Sequence, residues 1–185
     1  AAIRGGQCID TSMGFTPLPG LVMGTRSGDI DPAVVPYLVR NAGMTSEEVD
    51  SLLNSESGLL GLAGSSDFRD VLSAAEAGSK EASLALGVWA WRIRHYIGAY
   101  AALLGGLDAL VFTGGIGENS ADARVRCVEG LEFLGVEIDN HLNRRDASLS
   151  RIISPSGSSV AVMVIPTNEE LEIALQTADV VRRAR

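Results

Sequence analysis

Lysine is almost missing from this chain of 185 residues: Lys80 stands alone, and arginine supplies the rest of its fifteen basic side chains. A guanidinium stays charged and offers a flat fork of donors, which suits bidentate contact with phosphate or carboxylate. The overall balance is acidic. Twenty-three Asp and Glu give a formal charge of −8, and nucleic acid or an anionic membrane would reward clustered Lys and Arg, so neither is expected as a partner. The two cysteines, Cys8 and Cys127, form no C-x-x-C pair and sit in apolar-patterned segments; two inert buried thiols in a reduced cytoplasmic setting are expected. Two histidines, His95 and His141, have no partner pattern for a metal or a catalytic pair and are expected to be structural or solvated. The chain has no Gly-Lys-Ser/Thr and so no P-loop, and no G-x-G-x-x-G. No apolar run is long enough to cross a bilayer, and no basic region followed by an apolar run opens the chain.

What is present is enough apolar residue, 46%, to bury a core as one domain. Ala1–Ile3 and Gln7–Asp10 around Arg4-Gly5-Gly6 read as a hairpin. Because Ala1 opens in what reads as the middle of a strand, a longer parent polypeptide is expected. Thr11–Asp29, rich in Gly, Pro, Thr and Ser, reads as a long ordered loop of the kind that carries function. Asp31-Pro32 predicts a helix start, with an end near Gly43. Thr45-Ser46-Glu47-Glu48 is a capping box for a helix to about Asn54, with Gly58 just beyond its end. Ser66–Ala77 predicts a short helix. From Ser79 to Leu104, apolar residues recur at three- and four-residue spacing, and from Tyr96 onward the helix is apolar almost all round, so burial in the core or at a subunit interface is expected. Asp108–Thr113 and Val160–Ile165 read as apolar strands, with helices at Ser120–Leu134 and Thr167–Arg183. Such strands imply a parallel sheet covered on both faces. Asn140–Ser159 reads as a polar surface loop. The class is α/β: a hairpin then alternating helix and strand, with a small helical insertion, as in one half of an actin-like, ribonuclease H-like fold.

Four segments could carry chemistry, each with a plain structural alternative. Thr113-Gly114-Gly115-Ile116-Gly117-Glu118-Asn119 follows a strand and opens a helix, where glycines let backbone approach a flat ligand or a phosphate. It could equally be a tight turn capped by Asn119 or Ser120. Ser66-Asp67-Phe68-Arg69-Asp70 offers an Asp for a ribose diol and an Arg plane for a purine, or a capped helix start with a local ion pair. Arg26, between Met23-Gly24-Thr25 and Ser27-Gly28-Asp29, could complement charge on a transferring phosphoryl group, or pair with Asp29 or Asp31 to brace the loop. In Thr167-Asn168-Glu169-Glu170, Thr167 and Glu170 fit a capping box. Glu169 is left to ligate Mg²⁺ or to favour the helix dipole.

Together these segments resemble the acetate kinase family. The run Asp10–Pro36 matches it, as do S-G-L-L-G at Ser57–Gly61, S-S-D-F-R-D at Ser65–Asp70 and R-I-R-H-Y-I-G-A-Y at Arg92–Tyr100. F-T-G-G-I-G-E-N at Phe112–Asn119 and I-P-T-N-E-E at Ile165–Glu170 complete the set, in the family's order. The resemblance implies reversible phosphoryl transfer between ATP and acetate with Mg²⁺, giving acetyl phosphate and ADP. It implies that Arg26 stabilises the transition state and that Asp67, Phe68 and Arg69 contact adenosine. Gly115, Ile116, Gly117, Glu118 and Asn119 would form the floor beneath it, Glu169 would ligate Mg²⁺, and Pro17 would wall the pocket for the acetate methyl. The long helix is similar to the part through which these enzymes form a homodimer.

The family's enzymes begin with a further domain, which supplies an asparagine, an aspartate, an arginine and two histidines around the phosphoryl group. Residues 1–185 are therefore expected to be the C-terminal nucleotide-binding and dimerisation domain, inactive by itself. Propionate kinase shares most of these motifs, and a non-catalytic nucleotide-binding or dimerisation module is the reading from another class.

Overall fold

The computed structural model describes residues 1–145 and 149–183. They form two compact units, Ala1–Leu107 and Asp108–Arg185, taken here one at a time.

The first unit opens with the expected hairpin, β1 (Ala2–Arg4) antiparallel to β2 (Gln7–Asp10), turned by Gly5 and Gly6 at φ +56° and +79°. An irregular stretch with no helix or strand follows through Asp31. Helix α1 (Val34–Asn41) starts later than predicted: Asp31 accepts from the Ala33 N–H at 2.8 Å, so its side chain shapes a preceding turn. Helix α2 (Ser46–Ser55) has the predicted capping box. Thr45 Oγ1 accepts from Glu48 N–H at 3.2 Å, and the Glu48 carboxylate accepts from Thr45 N–H at 2.7 Å. Two orphan donors are satisfied reciprocally.

Gly58 lies just beyond the end of α2, as read, but it also opens a further short helix that the sequence reading did not include, α3 (Gly58–Ala63). Helix α4 (Phe68–Glu76) is capped by Asp67 and α5 (Lys80–Leu104) by Ser79. The core lies where α3 and α4 pack on α5: Leu59, Phe68, Val71, Ala85, Leu86 and Trp89 are buried there, with the Phe68 and Trp89 rings 4.8 Å apart. Each large side chain so buried contributes roughly 1.5–3 kcal/mol. Within this single chain the far end of α5 is not enclosed in the core. Past Tyr96 only Ile97 and Ala101 are buried, and Leu103 is 47% exposed. Arg4 closes that end by donating to Leu103 O at 2.7 Å, a cation on an orphan carbonyl. Cys8, expected to be buried, lies exposed on the hairpin.

The second unit is built on three strands in the order β3 (Ala109–Phe112), β5 (Ala161–Val164), β4 (Arg151–Ile152). β3 and β5 are parallel, Ala109 facing Ala161 through Phe112 facing Val164, and β4 runs antiparallel to β5. Val162 and Val164 are fully buried, but Val111 is 45% exposed, so the sheet is neither wholly parallel nor covered on both faces. The predicted helix over 120–134 is divided. After β3 come α6 (Gly114–Asn119), α7 (Ala121–Val128) and a 3₁₀ turn at Glu132–Leu134. The stretch read as a polar loop contains α8 (Asn140–Arg144) and β4, and it buries Asn143, Ile153 and Ser154. Its residues 146–148 lie outside the described residues.

Helix α9 (Glu169–Arg183) closes the unit, capped by Asn168 Oδ1 accepting from Leu171 N–H at 3.1 Å and not by a Thr167–Glu170 box. Cys127 is buried as expected. The hairpin, the helical group α2–α4 and the strand–helix alternation together make the α/β class expected above. Among the described residues, no helix is long and apolar enough to cross a membrane.

Candidate functional site

Arg26 sits in a loop whose shape is fixed from both sides. Met23 N–H bonds to Arg26 O at 3.1 Å, closing a tight turn over Gly24 and Thr25. The junction of α2 and α3 then holds that turn. Ser57 N–H donates to Thr25 O, Leu59 N–H to Met23 O and Leu60 N–H to Gly24 O, all at 2.9 Å, while Thr25 Oγ1 reaches Asn54 O at 2.9 Å. Gly58 makes the approach possible: at φ +63° its Cα faces the carbonyls of Met23 and Arg26 so closely that a Cβ would collide with both. The Arg26 side chain, half-buried, hydrogen-bonds Met23 Sδ at 3.8 Å, and among the described residues it makes no ion pair.

The two acids that could have braced Arg26 are occupied elsewhere. Asp31 shapes the turn before α1, and Asp29 accepts from Tyr96 OH at 2.6 Å and Arg92 Nη1 at 3.4 Å. A guanidinium kept in a fixed loop with no carboxylate partner has its charge available for a ligand. Burial, then the bond to Asp29, pushes the Tyr96 hydroxyl up to about 12, so it remains a donor.

Gly24 packs on the next segment: a Cβ there would lie 2.8 Å from Ser66 O. This brings the arginine loop beside Asp67–Arg69. Asp67 does two jobs, capping α4 through Arg69 N–H at 2.8 Å and pairing with Arg69 Nη2 at 2.6 Å. The Arg69 side chain is 88% exposed, and the Arg69 bond holds the Asp67 carboxyl down at about 2. The Phe68 ring is buried in the core against Trp89.

In the second unit the glycine-rich turn is itself helical. Gly114 takes φ +71°, and Gly117 lies against the Phe112 backbone, where an added Cβ would sit 3.4 Å away. Ser120 caps the following helix through Ala123 N–H at 3.1 Å. Glu118 ties this turn to the start of α9. One oxygen, Oε1, accepts from Gly114 N–H at 2.7 Å, Thr167 N–H at 2.9 Å and Thr167 Oγ1 at 3.1 Å. These donors, Thr167 first, hold its carboxyl below the usual range. Arg124, buried, fixes the turn from beneath by donating to Gly117 O at 2.7 Å and Glu118 O at 3.0 Å. It also donates to Asn143 Oδ1 at 2.6 Å and Asn143 O at 2.7 Å. Beside the turn lies a cavity of about 530 Å³ whose walls include Asn119, Arg124, Arg144 and Pro166.

Glu169, at the first position of α9, is exposed. Among the described residues no three acidic, His or Cys side chains converge as a metal cage. A single carboxylate fits Mg²⁺, which is commonly held by one or two carboxylates with the remaining positions on phosphate and water. Pro17 is exposed in the long loop.

The model of the acetokinase family matches residues 1–175. The chain belongs to the acetokinase family. An acetate kinase of Clavibacter sepedonicus is 58% identical over 177 residues, covering 96% of this chain and 45% of that protein. The crystal structure of Porphyromonas gingivalis acetate kinase superposes with a TM-score of 0.90 at 42% identity, covering 97% of this chain and 45% of that one. A propionate kinase from Francisella tularensis subsp. tularensis superposes at 0.87 with 45% identity, covering 93% and 44%. The chain thus spans about half the length of the acetokinase relatives it matches.

Within each unit the structure brings together two of the four acetokinase segments read from the sequence. Gly24 against Ser66 joins the arginine loop to Asp67–Arg69, and Glu118 on Thr167 joins the glycine turn to the start of α9. Sequence reasoning missed the residues that hold these pairs in place: Gly58, Asp29 with Tyr96 and Arg92, and Arg124 with Asn143. Arg124 was visible only as an arginine in a helix, and its four acceptors are set by tertiary structure.

Proposed function

We propose that this chain serves reversible phosphoryl transfer between ATP and acetate, supplying the adenosine contacts, the arginine at the transferring group and one Mg²⁺ ligand. The observation that carries this reading is Arg26, half-buried in a loop fixed by five hydrogen bonds and glycine packing, with no acid among the described residues to neutralise it. Charge spreads over the equatorial oxygens as a phosphoryl group transfers, and a preorganised guanidinium complements it without reorganising. Asp67 and Arg69 would take the ribose and the purine face, with Phe68 placing both by anchoring α4 in the core. Gly115, Ile116, Gly117, Glu118 and Asn119 would form the floor, Glu118 acting from within it as the strut to Thr167. Pro17 would stand at the acetate methyl.

Glu169 would hold Mg²⁺, which when bound neutralises phosphate charge. The protein that uses these residues would be a cytoplasmic homodimer working on ATP and acetate. The 185-residue chain by itself would be inactive, because transfer needs charge and positioning from both sides of the phosphoryl group.

A second reading has its own support: the propionate kinase matches at 45% identity, above the 42% of the Porphyromonas enzyme. The test is a hydroxamate assay with Mg-ATP and either acetate or propionate. It uses the 185-residue chain and a full-length acetate kinase carrying this chain as its matching segment. The carrier should form acetyl hydroxamate faster than propionyl hydroxamate, Arg26→Ala should cut it to a small residual rate, and the chain by itself should form none. Unchanged turnover in Arg26→Ala would remove the arginine from the mechanism, and faster turnover of propionate would favour the second reading.

A further inference from the structure

Asp29 closes the loop that carries Arg26. Its Oδ1 accepts from Gly20 N–H at 2.8 Å and its own N–H donates to Gly20 O at 3.1 Å, so residues 20 and 29 are pinned together as the ends of a closed loop. Gly28 allows this closure. It takes φ +71°, and a Cβ would lie 2.7 Å from Gly20 O and 2.8 Å from the Leu21 carbonyl carbon. The remaining Asp29 oxygen points to α5, where Tyr96 OH donates at 2.6 Å and Arg92 Nη1 at 3.4 Å; Arg92 Nη2 also donates to Asp29 O at 3.3 Å. Arg92 and Tyr96 are four residues apart on one face of that helix, so a single rigid element holds the buckle.

Nothing else in the loop needs a charged buckle. The α2–α3 junction already fixes Met23 through Ser27 from the other side. The second anchor bonds the loop directly to α5, which the first reaches only through the packing of α3, and so fixes where Arg26 stands relative to the long helix.

We propose that Asp29, held by Tyr96 and Arg92, is a positioning residue for Arg26 in phosphoryl transfer. This rests on the reading of Arg26 given above. Displacing a charge-stabilising group by about an ångström costs about a hundredfold in rate, and partial loosening correspondingly less. Tyr96→Phe removes one hydrogen bond and keeps the ring. In the full-length carrier it lowers kcat roughly tenfold, while KM for nucleotide and acetate stays within about twofold, because Arg26 acts on the group in flight. Asp29→Asn keeps the shape and loses the charge, and gives a similar split.

The deciding measurement is Tyr96→Phe in an Arg26→Ala background, with enzyme raised to read the residual rate. The expected result is no further loss. An equal loss in both backgrounds would overturn the proposal, since Tyr96 would then act independently of Arg26; so would unchanged kcat in both Tyr96→Phe and Asp29→Asn. Hydrogen exchange gives a readout apart from turnover. The amides of Gly20 and Asp29 should exchange faster in Tyr96→Phe than in wild type, with α5 unchanged, and unaltered exchange there overturns the proposal as well. Full activity in Arg26→Ala would instead sink the reading of Arg26, leaving exchange to decide whether Asp29 holds the loop.

Discussion

Replacing Gly58 with alanine should disturb the arginine loop more than any other single methyl group. Gly58 lies at φ +63°, a conformation that costs an L-residue roughly 1–2 kcal/mol. A Cβ there would lie 2.8 Å from Arg26 O and closer still to Met23 O, whereas ordinary contact begins at 3.4 Å. Both carbonyls must therefore retreat, Arg26 O by about half an ångström. Each accepts a hydrogen bond that the retreat strains: Leu59 N–H on Met23 O at 2.9 Å and Met23 N–H on Arg26 O at 3.1 Å. At roughly 0.5–1.5 kcal/mol per bond, the total cost is about 2–5 kcal/mol.

The matching control is Gly64→Ala. Gly64 has φ +77° but open space around its Cβ, so it carries the backbone strain alone. Urea unfolding of both variants reads the difference, and the hydroxamate assay of the full-length carrier reads the loop. Gly58→Ala should lose at least 1 kcal/mol more than Gly64→Ala and should lose turnover, while Gly64→Ala keeps it. Equal destabilisation with equal activity would refute the close packing of Gly58 on the Arg26 turn.

Arg124→Met should destabilise the second unit by about 3–5 kcal/mol, because it leaves the carbonyls of Gly117, Glu118 and Asn143 without their buried donor. A loss below 1 kcal/mol in denaturant unfolding would show that solvent replaces it. For Glu118 the folded carboxyl titrates below its ordinary value, so its stabilisation is complete above about pH 4.5 and is lost as pH falls through the lowered value. Wild type should exceed Glu118→Gln in stability at pH 7, and the gap should close in acid; a gap independent of pH would refute this. Tyr96 is shifted the other way, so its bond to Asp29 is intact below pH 10 and is lost as pH rises through about 12. Tyrosinate absorbance should lose a component near pH 12 in Tyr96→Phe, and an unchanged alkaline limb would contradict it.

Local signals were legible in the sequence. The capping box at Thr45 and Glu48 and the helical spacing of α5 each depend on residues within a few positions, and both appear as read. Packing set by distant partners was not legible. Asp29 stands three residues from Arg26 and was, with Asp31, one candidate to brace it, but its partners Arg92 and Tyr96 are 63 and 67 residues away. Asn143 and Ile153 lie in a stretch whose polarity suggested surface; Arg124 draws the first inward, and Ile153 N–H pairs with Val162 O. The same limit applies to the site. Motif order identified the acetokinase segments, while the contacts that fix them, Gly24 on Ser66 and Glu118 on Thr167, came only with the coordinates.

Lys80 begins α5 and is exposed, the one side-chain amine in the chain. An acyl phosphate, the product proposed here, is an electrophile that acylates amines and leaves guanidinium groups, protonated at all working pH, untouched. Within these 185 residues, arginine in place of lysine would leave the proposed product a single side-chain amine to acylate. Mass spectrometry after exposure to acetyl phosphate should find side-chain amine acetylation confined to Lys80, at the first turn of the longest helix and far in sequence from Arg26.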